Sequence, residues 1–206
     1  MSEGKVAIAV HACGFKSFNE ICEIAKLRLT EALKQASLLN ISDIIISGGP
    51  PYQTGSKFLA HLMGKWLIEQ DVQISFEMGQ TRPSPRIHYA TDCFDSSTDI
   101  KNILKIAQEQ HFDRILAISS YWHLRVLKLL YKYWAGKLNY SGSIITIPNG
   151  KVIDRYLTSK KTRIIYFFYA GLVRLSLRLC FFEYLDKFLS SKLSKRKNGS
   201  PVSGCS

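Results

Sequence analysis

Residues 44–49 read Ile44-Ile45-Ile46-Ser47-Gly48-Gly49. Three consecutive β-branched residues run into a hydroxyl and then a glycine pair. A strand with one face in water alternates apolar with polar residues. This run does not, so it reads as a strand buried on both faces. Pro50-Pro51 follows at once and prevents its continuation. The same construction recurs at Lys5–His11 (KVAIAVH), which ends near Gly14, at Arg114–Ser119 (RILAIS), and at Ser143–Ile147.

Between these runs the apolar spacing changes to that of helices. Phe18–Leu39 carries Ile21, Ile24, Ala25, Leu27, Leu29, Leu33 and Ala36. Gly55–Gln70 carries Phe58, Leu59, Leu62, Met63, Trp66 and Leu67. Ser97–Glu109 is a helix behind a cap at Ser96 or Ser97, and Trp122–Trp134 is another. One strand slot has two candidates, Val72–Phe76 and Ile87–Thr91, on either side of the two-proline loop Gly79–Arg86. Buried strands alternating with helices predict an α/β fold, a Rossmann-like three-layer sandwich with a mainly parallel sheet.

The chain has 206 residues, 46% of them hydrophobic and 21% charged, which suits one globular domain. Its net charge of +12 is uneven. Residues 1–150 hold 16 Lys/Arg and 13 Asp/Glu, and residues 151–206 hold 12 and 3. The body is therefore nearly neutral, and the basic part is the C-terminal quarter, which favours anionic partners. Five cysteines without a CxxC pair read as free thiols in a reducing compartment. The N-terminus runs straight into a short apolar strand, without a signal-peptide core. A cytoplasmic body is the expectation, and the sequon at Asn198 reads as chance.

Ligands of open parallel sheets bind outside the carboxyl ends of the strands, near helix N-termini. Reading those ends gives His11, Cys13, Gly14 and Lys16 after the first strand, and Ser47, Gly48 and Gly49 after the second. Asp92, Asp95, Ser96 and Thr98 lie near the third, and Ser119, Ser120, His123 and Arg125 follow the fourth. Glycines let a ligand approach the backbone. A histidine and an arginine at a helix start can meet an anion or move a proton.

Each residue also has a plainer reading. The glycine pair can be a tight turn, Asp92 and Asp95 solvated loop acids, and His123 a helix-cap residue. The spacing of His11, Cys13, Cys93 and His123 matches no metal-ligand pattern, so no metal is expected. Neither GxGxxG nor GxxxxGK[ST] occurs.

Three pieces occur in order: Ser47-Gly48-Gly49 before a helix, Asp92-Cys93-Phe94-Asp95-Ser96-Ser97-Thr98, and Ser119-Ser120-Tyr121-Trp122-His123-Leu124-Arg125. Over roughly residues 5–148 they resemble the YdcF-like family, a bacterial domain of unknown function that includes the SanA and ElyC proteins. The resemblance implies a Rossmann-like fold and a polar pocket at these motifs, with a small nucleotide-like or phosphate-bearing ligand. S-adenosylmethionine is a cofactor of that description. Some relatives are linked to the bacterial envelope.

A YdcF-like enzyme would be a phosphoester hydrolase or a group transferase. His123 would serve as acid/base, Arg125 as anion partner and Asp92 as the orienting carboxylate. Ser47, Gly48, Gly49, Gly14, Asp95, Ser96, Thr98, Ser119 and Ser120 would line its pocket. This chain has Ser56-Lys57 where the family carries Glu. That departure supports an alternative, a non-catalytic membrane-associated interaction protein that keeps the fold.

Three segments result: an α/β domain over 1–150, a basic amphipathic helical extension over 151–190, and a disordered tail over 191–206. In the extension, Ile164–Val173 is uncharged for ten residues, half of what a spanning helix needs. Arg163, Arg174 and Arg178 fall within about 60° of one another on a helical wheel. The rest of the circumference is largely apolar. Such helices pack on the domain or a second protomer, or lie on an anionic membrane surface at the inner face, here through 160–197. Lys192–Lys197 has no stacking platform beside it, so nucleic acid ranks low.

Overall fold

The structure, a computed structural model, describes residues 4–12, 15–17, 20–49, 58–78, 84–93, 95–149, 160–178 and 182. Strands β1 (Val6–Val10), β4 (Asp43–Ser47), β5 (Arg86–Ala90), β6 (Arg114–Ser119) and β7 (Ser143–Pro148) form one sheet. Its order is β5-β4-β1-β6-β7 and every pairing is parallel. A separate antiparallel ribbon joins β2 (Phe15–Ser17) to β3 (Glu20–Ile21).

The helices are α1 (Glu23–Leu39), α2 (Leu59–Met78), α3 (Ser96–Glu109), α4 (Tyr121–Lys137) and α5 (Lys160–Arg178). Strand alternation sorts them into two layers. Ile8, Val10, Ile44, Ile46, Leu116 and Ile118 pack against α1 and α2. Ala7, Ala9, Ile45, Ile115 and Ala117 pack against α3 and α4. The fold is therefore a Rossmann-like three-layer α/β sandwich. The β1, β4 and β6 runs are continuously apolar because both their faces are covered. Each fully buried isoleucine in them contributes about 1.5–3 kcal/mol relative to an exposed one.

Several boundaries move from those the sequence suggests. The first helix starts at Glu23, not Phe18, because Glu20–Ile21 pairs with Phe15–Ser17 and Cys22 is the extended N-cap. Residues 72–76 belong to α2, where Val72 is exposed, so the contested strand is β5. The N-cap of α3 is Asp95, with Ser96 and Ser97 already helical. Gly14, Cys13, Ser56-Lys57 and the 191–206 tail lie outside the described residues.

The strand order reverses at β1, whose neighbours β4 and β6 lead in opposite directions. In open α/β sheets such a switch point, at the carboxyl ends, is the usual place for a ligand. Gly48, Thr98 and His123 all follow carboxyl ends of parallel strands and so lie along one rim of the sheet.

Gly49 is required there by close approach. A Cβ on it would sit 1.7 Å from the Cys93 carbonyl oxygen. Gly49→Ala is expected to destabilise by roughly 1–3 kcal/mol, as overpacking does. Urea melts of the two proteins check this, and an unchanged midpoint would remove the constraint.

Candidate functional site

The register that pairs Val10 with Ile46 and with Ile118, continued by one residue, sets Ser47, His11 and Ser119 in a row across three strands. All three are buried, on the sheet face covered by α3 and α4. A polar row inside an apolar sandwich costs free energy unless its groups find partners. Most of those partners come from the two helices above it.

His123, in the first turn of α4, joins two of the motifs. Its Nδ1 lies 3.0 Å from Ser119 Oγ and its Nε2 lies 2.8 Å from Ser96 Oγ. Ser96 is the first residue of α3 and is half-buried. A hydroxyl, an imidazole and a second hydroxyl thus form one continuous chain. His11 Nε2 meets the Tyr131 hydroxyl at 2.9 Å, and its Nδ1 faces Asp99 Oδ2 at 3.8 Å. The two imidazoles stand nearly perpendicular with centroids 6.2 Å apart.

Arg28 of α1 is 1% exposed. Its Nη1 donates to the carbonyls of His11 and Ala12, both at 2.7 Å, and its Nη2 donates to Ser120 Oγ at 2.6 Å. Ser120 is the N-cap of α4, yet its side chain does not cap that helix, because its hydroxyl is held by Arg28. One guanidinium therefore ties the ends of β1 and β6 together across the switch point.

Burial pushes the pKa of His123 well below the usual histidine value, and the Arg28 charge and His11 lower it further. His11 is lowered by burial too, against an opposing pull from Asp99. Burial raises the Tyr131 phenol well above its usual range, so it stays protonated. The site therefore holds two imidazoles that burial keeps neutral near neutral pH. Burial also raises Cys93, whose thiol is inert. Among the described residues no group of three or more His, Cys, Asp or Glu is placed to hold a metal.

The sequence-derived candidates divide. His123, Ser96 and Ser119 meet directly, and Ser120 is instead tied by Arg28 to the His11 and Ala12 carbonyls. Ser47 is buried beside His11 with a hydroxyl that has no hydrogen-bond partner among the described residues. Asp95 and Thr98 form the capping box of α3. Asp95 Oδ1 accepts from the amides of Ser97 and Thr98 at 2.9 and 2.8 Å, and Thr98 Oγ1 accepts from the Asp95 amide at 3.0 Å. That arrangement is a helix start. The Asp92 side chain is exposed, and its carbonyl accepts from Asn102 Nδ2 at 2.8 Å. The carbonyls of Gly48 and Gly49 accept from the backbone N–H groups of Ala60 and Leu59, at the start of α2. Arg125 is exposed, with its guanidinium over the Trp122 and Tyr121 rings.

Sequence reasoning missed Arg28, Asp99, Tyr131 and Asn149. Arg28 carried a legible signal, because it lies in the apolar stripe with Ile24, Ala25, Leu29 and Ala32. A cation at a core position of a helix needs buried acceptors. Asn149 follows β7, donates its backbone N–H to the Ser119 carbonyl at 3.2 Å, and is buried with neither side-chain polar atom hydrogen-bonded among the described residues.

No family model matches the chain, and no curated protein matches it. A solved structure of a universal stress protein from Archaeoglobus fulgidus is similar at 18% identity and a TM-score of 0.35, covering 70% of this chain and 98% of that one. The fold class rests on the sheet order described above.

Two outcomes follow. Arg28→Met leaves the His11 and Ala12 carbonyls without their donor and should cost about 3–5 kcal/mol of stability, read by denaturant melts. A cost under 1 kcal/mol, on the order of a surface substitution, would contradict the tie.

Stability should also fall with acid. The unfolded histidines take up protons near pH 6.5, and folded His11 and His123 do so only at lower pH. Stability is thus fully present above that value and declines as pH drops, by up to about 1.4 kcal/mol per pH unit for each histidine. His123→Gln should flatten the slope.

Proposed function

We propose that this chain binds a small polar ligand, nucleotide-like or phosphate-bearing, at the carboxyl ends of β4, β1 and β6, and acts on it as a hydrolase or group transferase of YdcF-like kind. The observation that carries the reading is the Ser96–His123–Ser119 chain at the topological switch point. In an open α/β sheet this crevice is where ligands bind. It also brings together two of the three motifs on which the YdcF-like resemblance rests.

The chemistry follows from the tautomer. If His123 Nδ1–H donates to Ser119 Oγ, then Nε2 is an acceptor facing Ser96 Oγ–H. His123 can take a proton from that hydroxyl, or from a water in its place, and return it to a leaving group. Burial keeps the imidazole unprotonated in the absence of ligand, and an anionic ligand beside it would favour its protonated form. Asp92 and Arg125, both exposed, are left with contacts to the outer parts of a ligand. Arg28 supplies a fixed positive charge behind the reacting groups, which suits an anionic ligand. The buried Ser47 hydroxyl and Asn149 side-chain amide are further groups for recognition, because neither has a hydrogen-bond partner among the described residues.

Thermal unfolding with a panel of nucleoside phosphates, S-adenosylmethionine and simple phosphoesters tests this reading. A true ligand at a hundredfold excess over its Kd should raise Tm by roughly 5–10 °C. Ser96→Ala should keep the fold and lose turnover of any phosphoester hydrolysed by the parent protein. A panel in which no compound shifts Tm and none is turned over would sink the proposal.

A further inference from the structure

One face of α5 is committed and the opposite face is not. Val173 and Ser176 are buried, Tyr169, Ala170 and Leu177 are partly buried, and the helix lies against α4. Ile164, Ile165, Phe167, Phe168, Leu172 and Leu175 are all exposed, Phe167 by 62% and Phe168 by 70%. At about 100° per residue these six fall in one sector of about 160°, centred opposite the buried stripe. Solvent-facing helix surfaces of a domain are normally polar, and a contiguous apolar face of this kind marks an interaction site.

We propose that this face of α5 docks the protein on an anionic lipid surface, lying in the plane of the headgroups without crossing the bilayer. Charge decides the occupant. Between Asp154 and Glu183 the chain carries six Lys/Arg and no acid. Arg174 is exposed, and its helical position borders the apolar sector, where an arginine head reaches the headgroup level while its stem stays with the apolar face. Apolar burial and a basic flank are the two signals that peripheral lipid binding combines. No helix among the described residues is long and apolar enough to cross a membrane. Because α4 begins at the rim that holds His123, a bilayer under α5 would sit one helix away from the ligand site. The inference is independent of what that site binds.

Co-sedimentation of the full chain with sucrose-loaded vesicles tests it. One set is pure phosphatidylcholine and the other contains a quarter phosphatidylglycerol. The expected result is binding to the anionic vesicles at least tenfold tighter than to the neutral ones, weakening as salt rises. Phe167→Glu with Phe168→Glu should abolish it at unchanged Tm, since both side chains are exposed, and Arg174→Glu should reduce the preference for the anionic set.

Failure to sediment with either set would overturn the proposal, as would binding that ignores the phenylalanine substitutions. A dimer in solution that the same double variant dissociates would reassign the face to a second copy of this chain. Ligand-induced Tm shifts are unaffected in any of these outcomes, so the two readings fail separately.

Discussion

Arg28 carries a fixed positive charge into the middle of the sandwich, and the candidate site is organised around it. A buried guanidinium is tolerated only when its donors find acceptors. The residues just after β1 and β6 supply them for both Nη groups: the His11 and Ala12 carbonyls and the Ser120 hydroxyl. The charge therefore joins the segments that leave these two paired strands for helices on opposite faces of the sheet. The same charge helps keep His11 and His123 neutral. One residue links the geometry of the switch point to the protonation state of its two histidines.

Around that anchor the site is graded in polarity. The row of Ser47, His11 and Ser119 lies under α3 and α4, where water has little access. His123 and Tyr131 bridge from the row to the helices, and Ser96 is the half-buried member nearest the rim. A proton moved along this chain would pass between an interior imidazole and a more exposed hydroxyl. Asp95 and Thr98, although close in sequence to Ser96, hold the first turn of α3. They fix the helix start and so leave the Ser96 side chain free of capping and turned toward His123.

Helix α5 shows how packing and patterning divide. Its apolar residues cover more of the circumference than α4 can bury, so the helix is held to the domain by one stripe and presents another to the outside. An amphipathic reading from charge alone locates the arginines but does not say which apolar stripe is used. The neighbouring helix makes that choice by occupying one side.

How much was legible beforehand follows from the range of each interaction. The sequence by itself determined the α/β class, the buried strands at β1, β4 and β6, the carboxyl-end location of the candidate site, and the concentration of positive charge near α5. Those are properties of local patterning, set by which residues avoid water along a strand or helix. Only the tertiary structure decided that Arg28 and Tyr131 belong to the site, that Asp95 and Thr98 cap a helix, and that Arg125, two residues from His123, points outward. Residue 123 meets residues 96 and 119 because separate strands end at one edge of a parallel sheet, and a residue's reach across that edge is invisible to its neighbours in the chain.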